Sequence, residues 1–307
     1  MPNTTAAIEV RGLRKSFGRQ TVLDGIDLAV ATGEVFALLG PNGAGKTTAI
    51  TILTTLARPD AGTALVAGRD VTADPLGVKQ RIALTGQSAA VDDMLSGYEN
   101  LVMLGRLSGL GGRGARRRAT ELLERFDLTD AAAKRVSAYS GGMRRRLDLA
   151  LSFVVTPEIL FLDEPTTGLD TRSRRELWDV IRSLADAGTT VFLTTQYLEE
   201  ADQLADRIAV LDGGRIVAVG TPAELKARIG GDTVELHDEH GALLAELPTD
   251  GTVAGLRRAL DELDESGAEG VVTLRRPTMD DVFLSLTSSG RSARAADDDD
   301  TTIKEYA

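Results

Sequence analysis

Val35-Phe36-Ala37-Leu38-Leu39 running into Gly40-Pro41-Asn42-Gly43-Ala44-Gly45-Lys46-Thr47-Thr48 decides the fold. A short unbroken apolar run reads as a strand buried on both faces. The glycine-rich turn that follows opens a helix reaching to about Leu56. Gly40–Thr47 fits the phosphate-binding pattern GxxxxGK[ST] in the setting that pattern needs, after a strand and before a helix. Glycines there let backbone N–H groups converge on phosphate oxygens, and the helix N-terminus adds its positive end. Lys46 would pair with the β- and γ-phosphates of a nucleotide, and the Thr47 hydroxyl would ligate magnesium. The plain alternative, a glycine turn before a helix, explains neither the lysine nor the threonine.

Working outward, Glu158-Ile159-Leu160-Phe161-Leu162 and Thr190–Thr195 are two more buried-strand runs. A helix over about Arg172–Ala187 separates them. Strand, helix and strand in succession predict a mostly parallel sheet covered on both faces. Residues 8–15, 21–30 and 64–68 read as strands flanking this core, an antiparallel β subdomain. Residues 96–155 read as mostly helical, and residues 207–220 as a hairpin turning on Asp212-Gly213-Gly214. The fold class is α/β.

The 307 residues are 42% apolar and 26% charged, enough for a large core. Without cysteine there is no disulfide, thiolate or zinc-thiolate chemistry. His237 and His240 are the only histidines, which argues against multi-histidine metal centres. The net charge of −11 is uneven: residues 221–307 hold 19 acidic and 9 basic side chains, net −10, leaving −1 for residues 1–220. That shift predicts a boundary near residues 220–231, between a first domain over 1–225 and a small α+β domain over 231–287, followed by an acidic, disordered tail over 288–307. An acidic balance argues against nucleic-acid binding. No secretory pattern or spanning apolar run is visible, so a cytoplasmic protein is expected, with any membrane role through a partner.

Asp163-Glu164 ends the second buried run, at the sheet edge where open α/β folds bind ligands. Asp163 would hold magnesium through water, and Glu164 could accept a proton from attacking water. Acids often end strands, so this pair alone is a weak signal.

With Tyr139-Ser140-Gly141-Gly142-Met143-Arg144 the chain resembles the nucleotide-binding subunits of ATP-binding cassette (ABC) transporters. The segment matches that family's signature motif, with Tyr for the usual Leu and Met for the usual Gln. It leads into a helix over Arg144–Val155. The resemblance covers residues 8–222 and implies a P-loop ATPase with a helical insert over about 88–157. It implies a homodimer sharing ATP between one chain's Gly40–Thr48 loop and the other's Ser140, Gly141 and Gly142. It also assigns Gln87 to magnesium and water, Asp170 to the dimer interface and Phe17 to the adenine. Gln196 stands where the family carries a histidine; it can donate an amide hydrogen to the γ-phosphate but cannot become a cation.

The stretches around Gln87, Ser140 and Gln196, with Arg275, Arg276, Asp280, Asp281, Val282 and Phe283 near the end, most resemble the daunorubicin/doxorubicin-resistance exporters. This implies ATP and Mg2+ as ligands and a separately encoded membrane permease. It further implies a place on the inner face of the membrane and outward transport of a hydrophobic drug, antibiotic or lipid. A non-transport ABC ATPase acting on ribosomes or DNA is the alternative; it would call for two cassettes, a long coiled coil or zinc modules. Arg116–Arg118 and Arg144–Arg146 read as solvated helix faces.

Overall fold

The computed structural model describes residues 6–86, 91–267 and 269–287, which divide into two compact units, one through Val219 and one from Gly220. In the first unit, β1 (Ala6–Phe17) and β2 (Gln20–Ala31) form a long antiparallel ribbon. β3 (Val35–Leu39) enters the glycine turn, and α1 (Lys46–Leu53) leaves it. The helix stops short of Leu56 because Thr55 adopts φ 64, a left-handed conformation that cannot continue it. β4 (Ala61–Val66) pairs with β1, and β5 (Arg69–Asp70) returns beside β4.

A short α2 (Pro75–Lys79), capped by the Asp74 side chain, precedes β6 (Ile82–Thr85). The helical insert comprises α3 (Gly97–Leu107), α4 (Gly112–Arg125) and α5 (Gly141–Ser152). Ser96 and Glu99 form a capping box that starts α3. α5 begins at Gly141, three residues before the expected start, because the Ser140 side chain caps it. Then follow β7 (Ile159–Asp163), α6 (Thr171–Asp186), β8 (Thr190–Thr195), α7 (Leu198–Leu204), β9 (Arg207–Asp212) and β10 (Arg215–Gly220).

The central sheet has the order β10-β9-β3-β8-β7-β6, parallel from β9 to β6. The antiparallel sheet has the order β2-β1-β4-β5. Every residue of β3, β7 and β8 is buried, which is why these strands read as unbroken apolar runs. Phe192 packs between Phe36, stacked on it with ring centroids 5.7 Å apart, and Phe161, tilted against it at 5.5 Å. Each such phenylalanine contributes roughly 1.5–3 kcal/mol of burial. This core sets the loops at the C-terminal ends of β3, β7 and β8 side by side.

In the second unit, α8 (Pro222–Ala227) is followed by β11 (Asp232–His237), β12 (Leu243–Thr249), α9 (Val253–Glu265) and β13 (Val271–Arg275). The sheet order is β12-β11-β13, and Val234 and Leu236 pack with Ala259 and Leu263 of α9. Residues 279–287 are helical. The expected tail over 288–307 lies outside the described residues.

Candidate functional site

The turn after β3 is built by close approach. A Cβ at Gly40 would sit 2.4 Å from the Leu211 carbonyl oxygen. Gly45 caps α1 at φ 109, where a side chain would meet Leu23 and the Val22 carbonyl at 2.8 Å. Only glycine fits that backbone and that space. Lys46, 5% exposed, donates to the carbonyl oxygens of Gly40 (2.8 Å) and Pro41 (3.1 Å). Its ammonium also lies 3.3 Å from a Glu164 carboxylate oxygen.

Asp163 is buried at the end of β7. Its Oδ1 accepts from Thr194 Oγ1 at 2.6 Å and from Thr47 Oγ1 at 3.3 Å. A buried carboxylate flanked by two hydroxyls, with no ion pair of its own among the described residues, is a hard-oxygen donor set of the kind magnesium takes. Glu164 follows at φ 48, a left-handed conformation costly for a residue with a side chain. Its N–H donates to the Thr194 carbonyl oxygen at 3.1 Å, so β8 holds it there.

Phe17, Asn42, Gly43, Gly45, Lys46, Thr47, Thr48, Glu164 and Gln196 line one cavity of about 520 Å³, with Gln20 and Val22. Ala44 is buried beneath the loop. The Phe17 ring is 57% exposed, so it is not a core aromatic, and Lys15 Nζ lies 5.4 Å from its centroid. The Gln196 loop is fastened behind by Thr195 Oγ1, which accepts from the Tyr197 N–H at 2.9 Å.

Ser140, Gly141, Gly142 and Asp170 do not line that cavity; they form a second group. Ser140 Oγ accepts from the Met143 N–H at 3.2 Å. A Cβ at Gly142 would lie 2.7 Å from Ser173 Oγ, and Asp170 accepts from the Ser173 N–H at 2.8 Å. That backbone bond holds the Asp170 carboxyl below its ordinary pKa. The two helix N-termini, of α5 and α6, are therefore packed against each other. Gln87 lies outside the described residues.

Two residues escape a reading of the sequence. Arg145 is buried and the Arg146 side chain is only 13% exposed, so the expectation of a solvated Arg144–Arg146 face fails at two of its three members. Consecutive helical residues point about 100° apart, and Arg145 shares its face with the buried Gly142 and Leu149. Glu200, wholly buried on α7, accepts from Trp178 Nε1 at 3.2 Å, and burial pushes its carboxyl above the usual range.

A family model described as ABC transporter matches residues 23–167. A daunorubicin resistance ATP-binding protein of Streptomyces coeruleorubidus is 54% identical, over 94% of this chain and 98% of the relative. The chain belongs to the ABC transporter ATP-binding family. A daunorubicin/doxorubicin resistance ATP-binding protein of Streptomyces peucetius is 50% identical over 96% of each chain. The fold matches a solved component of an ABC transporter complex from Clostridium perfringens, with a TM-score of 0.68 at 24% identity, covering 72% of this chain and 91% of that one. As an ABC subunit, the chain is an ATPase whose hydrolysis is coupled to transport. Among the described residues no helix is long and apolar enough to cross a membrane.

Proposed function

We propose that the chain binds ATP with Mg2+ in the cavity around Lys46 and powers outward transport of a hydrophobic drug, antibiotic or lipid through a separately encoded permease. It would act from the cytoplasmic face of the membrane as a homodimer. The resistance proteins that it resembles over nearly their whole length support the cargo class. Residues 1–225 would form the ATPase domain, with residues 231–287 as an accessory domain.

One observation carries the site assignment: Lys46 and Thr47 at the start of α1 meet Asp163 and Glu164 at the end of β7, and all but the buried Asp163 line one cavity. Lys46 and the loop N–H groups would hold the β- and γ-phosphates, and the exposed Phe17 ring would stack on adenine. Thr47 and Asp163, with Gln87, would hold Mg2+, which when bound neutralises phosphate charge. Phosphate oxygens would compete with Glu164 for the Lys46 ammonium. That releases the Glu164 carboxylate to take a proton from the attacking water. The Gln196 amide would donate to a γ-phosphate oxygen. Ser140, Gly141, Gly142 and Asp170, being outside this cavity, would complete the site of a second copy.

Glu164→Gln tests the reading. It should retain ATP affinity while turnover falls by about 100-fold or more, the range of a general base. An ATP-dependent dimer should then appear on size-exclusion chromatography. Undiminished hydrolysis would remove the assignment of Glu164 as base.

A further inference from the structure

Of the three arginines opening α5, the outer two reach to surface acids, Arg144 to Asp93 and Arg146 to Asp127 and Glu176. Arg145 is only 8% exposed. Its Nε donates to the Pro165 carbonyl oxygen at 2.8 Å. Its Nη1 donates to the Gly86 carbonyl oxygen at 2.6 Å and to Asp148 Oδ2 at 3.3 Å. Nη2 is buried with no hydrogen-bond partner among the described residues. Burial pushes the guanidinium pKa down, against the pull of Asp148, Glu200 and Asp163.

Desolvating a guanidinium is expensive, and an apolar chain of similar length would fill the same space without that penalty. Packing alone therefore does not account for an arginine here. The buried Asp148 carboxylate and the two carbonyls it holds do. Gly86 immediately precedes Gln87, and Pro165 immediately follows Glu164. The β6–β7 ladder ends at the pair Thr85 and Leu162, so the segments beyond it are bridged by this side chain instead of by backbone pairing.

We propose that Arg145 is a positioning residue for hydrolysis: its planar fork fixes the spacing of the Gly86 and Pro165 carbonyls, and with it the placement of the segment carrying Glu164. Because Arg145 lies on the helix that Ser140 caps, that spacing also follows the position of the α5 N-terminus. The proposal rests on the reading of Glu164 as the base.

The test compares Arg145→Met, Arg145→Lys and Glu164→Gln in the full chain, by ATPase kinetics, fluorescent-ATP binding with Mg2+ and thermal melting. Arg145→Met, which leaves the buried Asp148 carboxylate without its partner, should melt below the parent; assayed well below that melt it should bind ATP within about threefold, while kcat falls about tenfold or more at little-changed KM. Arg145→Lys, able to reach the carbonyls without the fixed fork, should fall between the two. Parent-like kcat in folded Arg145→Met overturns the proposal. So does a loss of kcat that tracks a lowered melting temperature, with no recovery in Arg145→Lys. Should Arg145→Met fail to fold, Arg145→Lys decides: lower kcat at unchanged affinity supports the proposal and parent kcat overturns it. Normal hydrolysis by Glu164→Gln would instead fault the underlying base assignment.

Discussion

The N-termini of α1 and α5, both proposed to meet phosphate, are built in opposite ways. α1 is capped by Gly45 in a left-handed conformation with no side-chain cap, and its first residue is the buried, cationic Lys46. α5 is capped by Ser140 in an extended conformation, whose hydroxyl already accepts from Met143, and its first turn, Gly141-Gly142-Met143, has no cation. The first end carries charge, a cavity and a metal-type donor pair. The second supplies backbone N–H groups and a hydroxyl, enough to supplement a phosphate site but not to form one. Unequal ends of this kind make sense when each nucleotide uses one of each.

The largest effect expected from breaking this contrast is at Lys46. Lys46→Ala removes a buried charge partner and should weaken ATP binding by roughly 2–5 kcal/mol, about 30-fold to several thousand-fold. A mixed dimer of Lys46→Ala and Ser140→Arg chains would have one site with both defects and one with neither. It should bind ATP more tightly than Lys46→Ala dimers, by equilibrium titration, and hydrolyse it where either parent fails. Equal failure of the mixture, with mixed dimers demonstrated, would break the head-to-tail arrangement.

A smaller effect belongs to Gln196. A neutral hydrogen bond contributes on the order of 0.5–1.5 kcal/mol, so Gln196→Ala should lower turnover roughly two- to twelve-fold. Gln196→His should stay active and acquire a pH-dependent limb near neutrality in a profile from about pH 5.5 to 8.5, because imidazole titrates there. Unchanged turnover in Gln196→Ala at every pH would make Gln196 a spectator. Least of all should move when the serine cap itself is exchanged: Ser140→Gly should cost only a few tenths of a kcal/mol of stability, read by denaturant melting.

Much of the first helix end is legible in the sequence because its chemistry is contiguous: strand, glycines, lysine and threonine follow one another from Val35 to Thr47. The second end is readable only through resemblance, since Ser-Gly-Gly alone fits any turn. The Lys46–Glu164 ion pair joins residues far apart in sequence and needs the sheet order to be seen. Arg145 is misread because its neighbours are arginines, and a run of like charges reads as solvated. Helical spacing holds the correction: Gly142, Arg145 and Leu149 fall on one stripe, and all three are buried. Phe17 cannot be told from a core aromatic until its exposure is known.

The left-handed backbone at Glu164 has a consequence for anyone engineering this protein. A residue bearing a side chain gives up roughly 1–2 kcal/mol in that conformation, and glycine or asparagine there relaxes it. Glu164→Gly or Glu164→Asn relieves that strain but also takes the carboxylate away from the buried Lys46 ammonium, so the two effects oppose each other. Selection for thermostability near this turn needs a turnover screen at every round, because the same strained main chain sets the Glu164 carboxylate against Lys46.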